Sequence, residues 1–351
     1  MRKLYTIICI WAVVMMTACT SSHDIDEVVG EADALCLETL AMLGNNETSA
    51  KVTRAHWNDD DKFSWDNSPN EMVVIVKESA TGNIIPWGMN KSSSARVRNV
   101  SGLDDYVSVA SITSNSGILK TDIQHLTVGE SPVYFFSPVL PDANRSSVDA
   151  KGMVTLALPY EFVHDETPSL SDFRNYTYIK GESTVSEISN AQIQVASTRF
   201  TGIPAVIRFA VTNDRGESIR VTRIKVSVDE NVAGGFPKTL TWNPGISSEP
   251  GLTISTELHK TLLASMGTGH GHEVLDKESG AFYAFMFPST FESATLTLEG
   301  TDSSDDPFTY SCDISSAKTF ESGKIYTWNL TVENTFMSLG FNGHEDDIFQ
   351  W

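Results

Sequence analysis

Short strand-like runs recur along most of the chain, with apolar residues returning at steps of two. Met72-Val73-Val74-Ile75-Val76, Tyr106-Val107-Ser108-Val109, Val133-Tyr134-Phe135-Phe136 and Met153-Val154-Thr155-Leu156-Ala157-Leu158 form a first set. A second set comprises Ala205 to Val211, Ile219 to Val228, Ala281 to Phe287, Ala294 to Leu298 and Ile325 to Val332. Gly, Pro, Asn, Asp and Ser separate the runs, which supplies the turn chemistry. No stretch after residue 30 keeps a 3.6-residue period over the roughly 11 residues a helix requires. The pattern predicts an all-β chain of antiparallel sheets stacked as two tandem β-sandwich domains.

Within Ile219–Val228 the parity changes once. Ile219 and Val221 alternate, then Ile224, Val226 and Val228 take the other phase, which predicts a bulge near Thr222. Residues 164–190 are polar and poor in aliphatic clusters, so the domain boundary is placed there, with sandwiches over 55–175 and 176–332. Two further segments belong to neither set. Residues 34–43 read as a strand with Leu35, Leu37, Ala41 and Leu43 on one face, although one short helix fits the same residues. Met337-Ser338-Leu339-Gly340-Phe341-Asn342 alternates cleanly inside the tail 333–351. An apolar strand there needs a place in its own sheet or in a partner's.

Composition narrows the field. With 25 Lys and Arg against 45 Asp and Glu, the net charge of −20 disfavours nucleic acid as a partner. Four cysteines in 351 residues are too few for a disulfide scaffold. Arg2 and Lys3 precede an apolar run from Leu4 to Met16, too short for a comfortable membrane span of about 20 residues. Residues 1–18 therefore read as a secretory signal. Met16-Thr17-Ala18-Cys19 resembles a bacterial lipobox, on which reading Cys19 carries lipid and becomes the first mature residue. Residues 19–54 then comprise an acidic tether and the strand at 34–43.

At this point the chain resembles the fimbrillins, subunits of the type V pili of Bacteroidales-type bacteria. Four blocks carry the resemblance. They are the lipobox with its following strand and Thr53-Arg54-Ala55-His56-Trp57; Val133-Tyr134-Phe135-Phe136-Ser137-Pro138; Ala205 to Phe209 with Ile219-Arg220-Val221; and Ala281 to Pro288 with Phe320-Glu321-Ser322-Gly323-Lys324-Ile325-Tyr326 running on to Val332. The resemblance implies transthyretin-like sandwiches and a precursor that carries its own first strand, residues 34–43. It further implies that a surface arginine-specific protease cuts between Arg54 and Ala55. A strand from another pilus subunit then fills the vacated groove, with Met337, Leu339 and Phe341 as the donor face. Residues 55–351 hold 21 basic and 38 acidic residues, a net charge of −17. Such a subunit is held at the outer membrane through Cys19 before the cut and serves adhesion in the surface fimbrium afterwards.

Other chemistry is thin. His270-Gly271-His272-Glu273 with His259 is the most metal-like cluster, but three flanking glycines read as a solvated loop without orienting partners. Asp59-Asp60-Asp61 and Asp302-Ser303-Ser304-Asp305-Asp306 lack the spacing of a calcium loop. No nucleophile elbow, His-Glu-x-x-His or phosphate loop occurs. The expectation is a non-enzymatic protein with no cofactor and no metal. Cys36 and Cys312 read as buried free thiols. Trp57, Trp65, Trp87 and Trp242 fall in or beside loop-like segments and motivate the rival reading of a glycan-binding outer-membrane lipoprotein. A retained lipid-linked anchor or tip subunit is the alternative within the family.

Overall fold

The computed structural model describes residues 36–43, 56–57, 63–64, 73–87, 94–99, 106–107, 125–137, 146–148, 152–188, 192–243, 252–267 and 271–347. They are mostly strand; the one helical element among them is a 3-10 stretch, Leu170–Tyr176. None of them forms a helix long and apolar enough to cross a membrane. Each run read above as a strand contributes described residues to one.

A nine-stranded sheet takes Val73–Lys77, Pro132–Ser137 and Ile179–Ile188 as neighbours, then continues through Gln192–Val195, the first strand Cys36–Leu43, Ser94–Asn99 and Tyr106–Val107. Val74, Ile75, Val76, Val133, Phe135 and Phe136 are all fully buried. Consecutive burial along a strand means that both faces of the sheet are covered. On one face Tyr134 and Phe136 meet Trp242 at 5.6 and 6.4 Å between ring centroids. That ring belongs to a four-stranded sheet of Ser146–Val148, Val154–Ala157, Thr239–Trp242 and Leu252–Ile254. On the other face Phe135 meets Phe200 at 5.8 Å, across Gly181, which is paired with both. A Cβ at Gly181 would lie 2.9 Å from the Phe200 ring, so the absence of a side chain lets the two aromatics join.

The second sandwich stacks two further sheets. One contains Glu161–His164, Thr261–Met266, Ile219–Ser227, Ala294–Asp302 and Pro307–Ile314, with His272–Val274 also on Ile219–Ser227. The other runs Ser279–Met286, Ala205–Asn213, Lys324–Val332 and the last strand, Met337–Asp347. Phe162 meets Phe285 between them at 5.8 Å, and buried Asn213 donates to the Glu217 and Val274 carbonyls at 2.7 and 2.9 Å. The register of Ile219–Ser227 against Ala294–Asp302 slips between Val221 and Arg223, leaving Thr222 over. This is the bulge that the change of parity predicts. Gly300 faces it, and a Cβ there would stand 2.3 Å from the Arg220 carbonyl oxygen.

Pairing crosses residue 175. Val154–Ala157 pairs with Thr239–Trp242 and Glu161–His164 with Thr261–Met266, while Ile179–Ile188 joins the strands at 73–137. The sheets are mostly antiparallel. Parallel ladders occur at the first strand, at Glu161–His164 and between Ala205–Asn213 and Lys324–Val332.

Candidate functional site

The first strand is interior to its sheet. On one flank Cys36 to Ala41 pair in register with Ser94 to Asn99. On the other, Cys36 to Glu38 pair with Gln192 to Gln194, and Ala41 to Leu43 with Thr198 to Phe200. All three ladders are parallel. Leu37 stands opposite fully buried Ile193, and Leu43 opposite fully buried Phe200. Withdrawing this strand would therefore open a slot with an unpaired backbone edge on each side. Unpaired N–H and C=O groups along such edges are a template for another strand.

The last strand lies at the opposite kind of position. Among the described residues it pairs on one flank only, antiparallel, with Val332 opposite Met337, Leu330 opposite Leu339 and Trp328 opposite Phe341. Met337 is buried, Leu339 and Phe341 are half-buried against the core, and the Phe341 ring meets Trp328 at 5.9 Å. The anticipated donor face is thus already seated in the chain's own sheet. Cys19, Arg54 and Ala55 lie outside the described residues.

Sequence reasoning missed one polar constellation. His164 is fully buried, and its Nε2 accepts from the Tyr283 N–H at 3.0 Å while lying 3.1 Å from the Tyr283 carbonyl oxygen. Nδ1 lies 3.1 Å from Asp172 Oδ2, and that oxygen also accepts from the Ser169 N–H. Tyr283 sits on Ser279–Met286, an edge strand, so an imidazole stands where a neighbouring strand's backbone would otherwise be. The signal in the sequence was faint, a histidine among the aromatics Phe162, Phe173 and Tyr176 in a segment without aliphatic clusters.

No family model matches the chain, and no curated protein does. Solved structures similar to it include a provisionally assigned cell adhesion protein from Bacteroides ovatus, 11% identical over 90% of this chain and 98% of that one, with a TM-score of 0.44. Another such protein, from Bacteroides fragilis, is 12% identical over 90% and 98%, with a TM-score of 0.43. The tip fimbrial protein Mfa3 from Porphyromonas gingivalis, truncated at its C-terminus, is 11% identical over 79% and 94%, at 0.38. At these scores the likeness says nothing of function.

The remaining candidates are dispersed. His259 packs against Tyr160 and His272 against Phe282, at 5.7 Å each, and His270 lies outside the described residues. No group of three metal-binding side chains occurs among the described residues. Asp302 Oδ1 accepts from the N–H groups of Ser304 and Asp306, and Asp305 pairs with Arg220 at 2.7 Å, so this acidic run closes a turn. Asp59, Asp60 and Asp61 lie outside the described residues, as does Trp65. Trp242, placed in or beside a loop-like segment, ends the strand Thr239–Trp242, is fully buried and presents no platform to a sugar. Cys312, expected to be buried, is a half-buried free thiol, and burial followed by the Asp313 charge pushes its pKa up.

Proposed function

We propose that this chain is a structural subunit of cell-surface fimbriae, joined to its neighbours by strand exchange and serving adhesion. The observation that carries the proposal is the first strand, held by parallel ladders on both flanks yet joined to the rest through a polar segment that contains Arg54. Cutting after Arg54 by an arginine-specific surface protease would release residues 1–54, lipid on Cys19 included, and vacate the slot. The last strand of another copy would fill it. In its own molecule that strand makes one ladder; in the slot it would make ladders on two flanks, so backbone pairing favours the exchange. Because both flanking edges are parallel to the first strand, an incoming strand that reproduces those ladders must run in the same direction.

N-terminal sequencing and intact mass of the protein recovered from the cell surface test this reading. A chain beginning at Ala55 without lipid is the expected result. A chain beginning at acylated Cys19 would overturn processing and leave a retained anchor or a glycan-binding lipoprotein.

A further inference from the structure

The last strand is fastened at two points from outside its own sheet. Its connection to Lys324–Val332 is the turn Glu333 to Phe336, closed by the Glu333 N–H donating to the Phe336 carbonyl at 2.9 Å. Tyr310, on Pro307–Ile314 of the facing sheet, donates its hydroxyl to the Asn334 carbonyl at 3.0 Å. Further along, the Lys318 ammonium sits 3.9 Å from the centroid of the Phe341 ring. Lys318 begins Lys318–Phe320, a strand of a separate two-stranded ladder with Ser289–Phe291. Both fasteners are held in place by their own neighbours. The Tyr310 ring packs at 5.2 Å on Phe308, and Lys318 Nζ donates to Ser316 Oγ at 3.0 Å.

The positions matter as much as the contacts. Tyr310 grips the turn about which the strand must swing if it is to leave, and Lys318 grips the residue that fills the space beside Trp328. Neither residue belongs to the Met337–Asp347 ladder, so removing either leaves every backbone bond of that ladder able to form. We propose that Tyr310 and Lys318 form a two-point latch that sets how often the last strand leaves its own sheet, and hence how fast it becomes available to another copy. The latch deepens the strand-exchange reading and rests on it.

The test uses the full chain. Hydrogen exchange is followed at the amides of 337–347 in the parent, Tyr310→Phe, Lys318→Ala and the double variant. Lys180→Ala, which breaks the remote Lys180–Glu182 pair, serves as control. One exposed cation–π contact or one hydrogen bond corresponds to roughly fivefold in an opening equilibrium. Exchange in this segment is therefore expected to quicken about fivefold in each single variant and further in the double, with the control at the parental rate. Assembly after treatment with an arginine-specific protease should quicken in the same order. Parental exchange in the double variant would overturn the latch. So would faster exchange without faster assembly, given that Leu339→Asp, run alongside, abolishes assembly. If Leu339→Asp assembles normally, the donor reading itself falls, and the latch with it.

Discussion

Replacing Leu339 with Asp separates the two environments that strand exchange would offer the same residue. In its own sheet Leu339 is half-buried at an edge, opposite fully buried Leu330. Full burial of a leucine side chain stabilises by about 1.5–3 kcal/mol, so about half of that, ~1 kcal/mol, is lost there. A carboxylate at the same edge keeps much of its water and adds about 1 kcal/mol of desolvation. The sum, about 2 kcal/mol, is small beside the 5–15 kcal/mol typical of a folded domain, so the monomer should fold. In the slot the residue would lie between two strands, in a sheet whose neighbouring positions Ile193 and Phe200 are fully buried. An unpaired carboxylate there costs about 4 kcal/mol or more, on the order of a thousandfold in occupancy. The assay pairs thermal unfolding of the variant with gel filtration after treatment with an arginine-specific protease. A cooperative monomer that forms no polymers is expected. Polymers at the parental rate would refute the reasoning, as would a variant that no longer unfolds cooperatively.

Gly300→Ala should lower the denaturant midpoint by the equivalent of about 3 kcal/mol, because its Cβ meets the Arg220 backbone and the Phe308 ring, neither of which can yield cheaply. His164→Ala strands the Tyr283 N–H and opens a void among Phe173, Phe282 and Tyr283, a loss of about 3 kcal/mol in the same measurement; a loss below about 1 kcal/mol would contradict the assigned hydrogen bonds. Cys312 should react with a disulfide reagent at pH 8 more slowly than free cysteine does, since burial first and Asp313 second keep its thiol protonated. Burial, then the charge of Lys238, holds the pKa of His259 below the ordinary 6.5. The unfolded chain thus takes up that proton first, and stability should fall as pH drops below 6.5 towards the folded value; in His259→Gln this component disappears.

Where burial follows a period, the sequence was legible. Ile219–Ser227 shows this in detail, since the residue at which the parity changes is the one left over in the ladder. The same logic found the first and last strands. It failed where something other than apolar alternation holds a strand. The last strand continues to Asp347 because Lys324 and Ile325 pair with Asp347 and Asp346, although alternation ends at Phe341. Ser94–Asn99, one wall of the slot, is Ser-Ala-Arg-Val-Arg-Asn, too polar to announce itself. The polar zone from 164 onwards was read as a boundary because it lacks aliphatic clusters. It holds His164, Phe173 and Tyr178, whose burial depends on aromatic packing and hydrogen bonds that only the fold assembles.

The imidazole set against Tyr283 has a consequence for how many hands such a molecule can offer. The sheet that ends in the last strand has two rims, and at the other one, on Ser279–Met286, a side chain already stands against the backbone. One rim is occupied from within, and the other is the one that the proposed exchange would release. A subunit with a single strand to give and a single slot to receive has a valence of two, and units of valence two build threads that do not branch.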